Sequence, residues 1–158
     1  MTLQDFYVWC EKTWIGVALQ TTTYPFPVIE AVHVLGITLM LGTLYTVNFR
    51  ILGLVLKSRP VSEVVEGLGP WIWGGTVLTF ATGIALFMSE ALKLSANAAW
   101  GPKMGGLVSA MVVQLFLSAF ILKGGRAESS PGLAKVTAVL STVLWFYTGY
   151  QARWIAFV

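Results

Sequence analysis

The chain has 158 residues, of which 56% are hydrophobic and only 11% charged, and its mean hydropathy is +0.76. A water-soluble domain carries about 25% charged residues, so this composition excludes a soluble globule and points to a single integral membrane domain. The formal charge of +3 gives no sign of nucleic acid as a partner, because the basic residues sit in short connections between apolar runs and read as topology signals.

Cys10 is the one cysteine, which excludes an internal disulfide and a thiolate zinc cluster. Residues 1–19 show no basic n-region, and Asp5, Glu11 and Lys12 interrupt any apolar core. The first apolar span is therefore expected to act as its own insertion signal. Leu3, Phe6, Cys10, Trp14 and Val17 recur at spacings of three and four. That spacing predicts an amphipathic helix over about residues 3–19, lying in the interface with Trp9 and Trp14 at headgroup depth. Thr21, Thr22 and Thr23 end it, and Pro25 and Pro27 start the next helix.

Four apolar spans follow, at about residues 27–56, 70–92, 104–122 and 133–157. Short connections between them predict an all-α, up-down four-helix bundle in the membrane. Gly36 and Gly42, then Gly74, Gly75 and Gly83, then Gly105 and Gly106 either let helices approach closely or make room for a flat cofactor. Gln114 and Ser118 with Ser141 and Thr148 form a thin polar seam of the kind that hydrogen-bonds helices together. Basic residues set the orientation. Arg50, Lys57, Arg59, Lys123, Arg126 and Lys135 lie on one side; Lys12, Lys93, Lys103 and Arg153 lie on the other. The bias puts both termini on the periplasmic side of a bacterial inner membrane.

His33, the sole histidine, stands one helical turn beyond Glu30 at the mouth of the first span. Ionisable groups at that depth are costly unless partnered, which makes the pair a candidate site. Its plain reading is a helix-end histidine hydrogen-bonded to a neighbour, with Glu30 favoured by the helix dipole. The sharper reading is haem b, with His33 as axial ligand, Gly36 admitting the ring edge, Glu30 as orienting neighbour, and Lys103 and Arg153 meeting the propionates. The sixth position would take Met40, Met88 or Met104, or a histidine from a second copy or a partner, or stay open. A third reading is a copper-handling protein with Glu30 and His33 at i, i+3 as ligands and methionine nearby. Asp5 is the one aspartate, which leaves no serine-histidine-aspartate triad, and no glycine-rich phosphate loop is present.

A pattern runs through most of the chain: Tyr24-Pro, Glu30-x-x-His33-x-x-Gly36 with Gly42, Arg50-Ile-Leu-Gly53, and Pro70-Trp71-x-Trp73-x-Gly75. It continues with Thr82-Gly83-x-x-Leu86-Phe87, Asn97 ahead of Lys103, and Arg153-Trp154-Ile155-Ala156-Phe157. On these residues the chain resembles a family of small bacterial four-span membrane proteins of unknown function. It departs from that pattern at Asn48-Phe49-Arg50, where the family has Asp-Leu-Arg. The resemblance implies the four-span architecture and marks His33, Lys103 and Arg153 as characteristic polar positions, without implying an activity. The expectation is a haem-binding subunit passing electrons between a periplasmic redox partner and quinone, as a homo-oligomer or with a protein partner. Its alternatives are a non-catalytic anchor of a larger complex and a copper-handling protein.

Overall fold

A computed structural model describes residues 2–122 and 126–157; Lys123, counted above among the topology signals, lies outside the described residues. The described chain is helical, with no strand. The helices are α1 (Leu3–Glu11), α2 (Trp14–Thr21), α3 (Pro25–Ile51), α4 (Val61–Ser95), α5 (Trp100–Phe116), α6 (Arg126–Ser129) and α7 (Pro131–Trp154), and α5 runs on into a π-helical stretch, Leu117–Leu122.

Three segments are long and apolar enough to cross a membrane: Pro25–Ile51, Val61–Ser95 and Trp100–Ala119. At 1.5 Å per residue, even the 20-residue third one spans about 30 Å. The chain is thus a helical protein with the segments of a membrane protein. α7 has 24 residues but is not among the three. The reason lies in its two faces. Thr137, Ser141 and Thr148 are buried, whereas Val136, Val139, Leu140, Val143 and Phe146 are exposed. Its hydroxyls and the exposed Lys135 lower its average hydropathy, while most of its outer surface over residues 136–146 is apolar.

Three local features differ from the sequence expectation. The N-terminal helix is broken in two, because Thr13 serves as the α2 cap. Its Oγ1 accepts from Gly16 N at 3.2 Å and donates to Cys10 O at 2.7 Å. α1 has its own capping box, in which Thr2 N donates to Asp5 Oδ2 at 2.7 Å and Asp5 N to Thr2 Oγ1 at 3.2 Å. Those bonds hold the Asp5 carboxyl below its usual range. The second feature is that α4 starts at Val61 and runs through Pro70, about two and a half turns before the expected start. Pro70 lacks the N–H that would bond Glu66 O, and both residues are exposed, so the freed carbonyl stays at the surface. The third is a kink at Glu90, with φ −131° and ψ 25°.

The chain forms two compact units. The first comprises the residues up to Met40 together with Trp73–Asn97; the second comprises Leu41–Ile72 and the chain from Ala98 onward. In the first unit, α3 and α4 run antiparallel in register. His33 meets Thr82 and Gly83, Gly36 meets Thr79, and Met40 meets Gly75. A Cβ on Gly75 would stand 2.7 Å from Met40 N, and one on Gly36 would stand 2.8 Å from Thr79 Oγ1. Glycine is what permits this approach.

α1 and α2 lock onto the kink of α4. A Cβ on Gly16 would lie 2.8 Å from Met88 O, so α2 sits directly against the α4 backbone. Leu92 N donates to Glu11 Oε1 at 2.9 Å, and Gln20 Nε2 donates to Ser89 O at 3.0 Å. Two α4 backbone groups beside the kink are thereby satisfied from the N-terminal helices.

In the second unit, α5 and α7 pair antiparallel. A Cβ on Gly106 would stand 2.9 Å from Tyr147 Cδ1 and 3.0 Å from Thr148 Oγ1, and further along Ser141 Oγ reaches Gln114 Oε1 at 3.4 Å. Asn48 from α3 enters this core fully buried.

Candidate functional site

The first half of α3 carries Glu30, His33 and Gly36 within two turns. His33 is half-buried and Glu30 is exposed. His33 Nδ1 lies 2.8 Å from Thr82 Oγ1. Thr82 Oγ1 is also 2.6 Å from Leu78 O and 3.2 Å from Thr79 O. A carbonyl only accepts, so the single hydroxyl proton of Thr82 is committed to these carbonyls. Its oxygen therefore accepts from His33, and Nδ1 carries the hydrogen. In the neutral imidazole this leaves the lone pair on Nε2.

The ring rests over Gly83, where an added Cβ would stand 3.0 Å from His33 Cε1. Thr82 and Gly83 thus do separate jobs, one orienting the ring by a hydrogen bond and the other making room for it. Thr82 was not singled out as a site residue from the sequence. The available signal was its place in the Thr82-Gly83 pair of the quoted pattern, combined with the antiparallel register of α3 and α4. Gly36, offered above as a recess for a macrocycle edge, has Thr79 in that space instead. Met40 is 2% exposed and packed on Gly75.

Lys103 and Arg153 belong to the second unit. Lys103 Nζ sits 5.2 Å from the centroid of the Trp100 ring, and the Arg153 guanidinium sits 5.0 Å from that of Phe157. Each is a cation–π contact on its own helix end. The Gly106–Tyr147 register carries both to the same end of the α5–α7 pair. His33 and Glu30 are in the first unit.

One open cavity of about 250 Å³ lies beside the α4 kink, lined by Leu19, Gln20, Phe26, Ser89 and Glu90. Small-molecule sites run from about 300 Å³ upward, so it is small for a ligand. Glu90 is engaged by Lys93 at 2.8 Å. Among the described residues, no three histidine, cysteine, aspartate or glutamate side chains gather as a metal-ion site. Cys10 is buried. Burial, with the neighbouring Glu11 carboxylate adding to it, pushes its thiol above the ordinary range, which favours the protonated, less nucleophilic form.

A family of unknown function, DUF6644, matches residues 6–158, and the chain belongs to it. No curated protein and no solved structure matches the chain.

Proposed function

We propose that this member of a family of unknown function is an integral subunit of the bacterial inner membrane that binds haem b through His33 Nε2. It would serve electron transfer between a periplasmic redox partner and quinone. The observation that supports this reading is the Nδ1–H···Oγ1 bond to Thr82. Ligating histidines hold one ring nitrogen in such a bond, which fixes the tautomer and directs the other nitrogen's lone pair at the metal. His33 would therefore fit as a ligand to the haem iron. Gly36 does not fit as a ring recess, since Thr79 fills that space, and Lys103 and Arg153 belong to the second unit. When bound, haem would supply one-electron chemistry, at a potential set by its ligands and surroundings. The chain's own part is to hold the imidazole, with Thr82 fixing its tautomer.

The proposed topology has four spans, α7 being the fourth, joined up and down with both termini periplasmic. The apolar outer face of α7 supports its crossing of the bilayer, and the basic-residue bias supports the orientation. The test is haem b content, measured as pyridine haemochrome on protein purified in mild detergent from its native host. About one haem per chain or per oligomer is expected, falling at least about tenfold in His33→Ala. Unchanged haem content in His33→Ala would remove the assignment.

A second reading, a non-catalytic membrane anchor, is favoured by a different observation. The His33 ring fills the notch at Gly83 and so contributes to helix packing in its own right. This reading predicts a haem-free chain that co-purifies with a larger complex. A haem-free chain isolated alone and monodisperse would speak against both.

A further inference from the structure

The second unit holds two buried polar atoms without a hydrogen-bond partner among the described residues: Asn48 Oδ1 and Trp145 Nε1. Asn48 is 0% exposed and Trp145 is 4% exposed. A buried donor or acceptor left unpaired costs about 1–3 kcal/mol, and two in one unit call for an explanation.

Rotating the Asn48 amide does not remove the problem. Its Nδ2 lies 3.2 Å from Ser141 Oγ and 3.1 Å from Thr142 Oγ1. The Thr142 hydroxyl donates to Ala138 O at 2.8 Å, and the Ser141 hydroxyl donates to Gln114 Oε1 at 3.4 Å. Both oxygens are therefore acceptors toward Asn48 and need its NH2. The carbonyl end remains the one left over. Gln114 in turn donates to Ser118 Oγ at 3.4 Å, closing the network on the α5 side.

Trp145 lies one turn beyond Ser141 on α7. Helical side chains lean toward the N-terminus and cover the turn before their own Cα. Trp145 thus shares the buried face of α7 with Ser141, the residue that Asn48 reaches one turn earlier. A donor and an acceptor, both unpaired, share one stretch of core. The level of Ser141 is about 15 Å into α7 and about 20 Å from its other end, which in the proposed four-span topology lies inside the hydrocarbon layer. The α5 helix also widens here, as its π-helical stretch begins at Leu117, beside Ser118.

We infer that the second unit contains an internal hydrated site in which a water molecule accepts from Trp145 Nε1–H and donates to Asn48 Oδ1. The chemistry selects the occupant. Asn48, Gln114, Ser118, Ser141, Thr142 and Trp145 carry no charge, so nothing in the network balances an ion. The occupant must both donate and accept, and the burial of Asn48, Ser141 and Trp145 limits it to the size of water. The site is independent of His33, which is in the other unit.

The test uses the full chain in detergent micelles with 15N-labelled tryptophan, with Trp145→Phe assigning the indole resonance. A cross-peak between the Trp145 indole N–H and water is expected. Asn48→Leu should abolish it while leaving the other six indoles in place. A wild-type Trp145 indole with no water cross-peak and full protection in D2O would overturn the inference, even if Asn48→Leu fails to fold. A cross-peak to lipid, detergent or quinone protons in place of water would overturn it as well, as would an undiminished water cross-peak in a folded Asn48→Leu protein.

Discussion

Gly74 and Gly75 are adjacent on α4 and should respond to alanine in opposite directions. Glycine inside a helix costs about 0.5–1 kcal/mol relative to alanine. A Cβ on Gly74 meets nothing within 4 Å, so Gly74→Ala should stabilise by about that amount. On Gly75 the same atom would stand 2.7 Å from Met40 N and 2.9 Å from Met40 Cα. These are backbone atoms that no rotamer change can move. Ordinary contact begins at 3.4 Å, so α3 and α4 would have to part by about 0.7 Å, an overpacking cost of about 1–3 kcal/mol. The same separation would stretch the His33–Thr82 bond from 2.8 Å to about 3.5 Å, the edge of hydrogen bonding, at a further cost of about 0.5–1.5 kcal/mol. Less the helix-propensity gain of alanine, net destabilisation of Gly75→Ala is therefore about 0.5–4 kcal/mol. Reversible unfolding in mixed micelles, followed by circular dichroism, measures both variants. If the two alanines shift stability in the same direction by similar amounts, the glycine-mediated α3–α4 contact is wrong.

Other expectations follow from single contacts. Because the chain has one histidine, 15N-histidine NMR reads His33 without assignment; wild type should show hydrogen on Nδ1 with Nε2 unprotonated, and Thr82→Val should lose that preference while Thr82→Ser keeps it. Glu11→Ala should cost about 1 kcal/mol and expose the Leu92 amide to hydrogen exchange, whereas Glu11→Gln, which keeps an acceptor oxygen, should leave Leu92 protected. Cys10 should react with a maleimide at least about tenfold more slowly than in the unfolded chain. Its raised folded pKa means that the folded state holds the proton more tightly than the unfolded state does. That stabilisation is full below the unfolded thiol value of about 8.5 and is lost as pH rises through the folded value. Thermal stability should therefore decline above about pH 8.5 in wild type and decline less in Cys10→Ala.

The all-helical character, the apolar runs and most of the seam, Gln114 with Ser118 and Ser141, were legible in the sequence, because they depend on local periodicity; Thr148, expected in that seam, donates to Leu144 O of its own helix. Where helices break was not legible. Thr13 caps α2 only because its hydroxyl finds both Gly16 N and Cys10 O, a choice that spacing alone does not reveal. Pro70 read as a start because a proline usually ends a helix, but an exposed helix flank tolerates the lost bond. The Glu90 kink is matched by Glu11 and Gln20 from about 70 to 80 residues away in sequence, so no local signal could announce it. At the candidate site, His33 was evident from its rarity, whereas Thr82 required the antiparallel register. In the sequence Asn48 stands out only as a departure from the Asp-Leu-Arg pattern, and its place in the α5–α7 core follows from tertiary packing alone.

The most direct test of haem binding through His33 is the visible absorption spectrum, oxidised and dithionite-reduced, of wild type and His33→Ala purified from native membranes. The account predicts a Soret band with sharp reduced α and β bands in wild type, lost or strongly diminished in His33→Ala. A featureless wild-type spectrum, or a full Soret band surviving in His33→Ala, would contradict it.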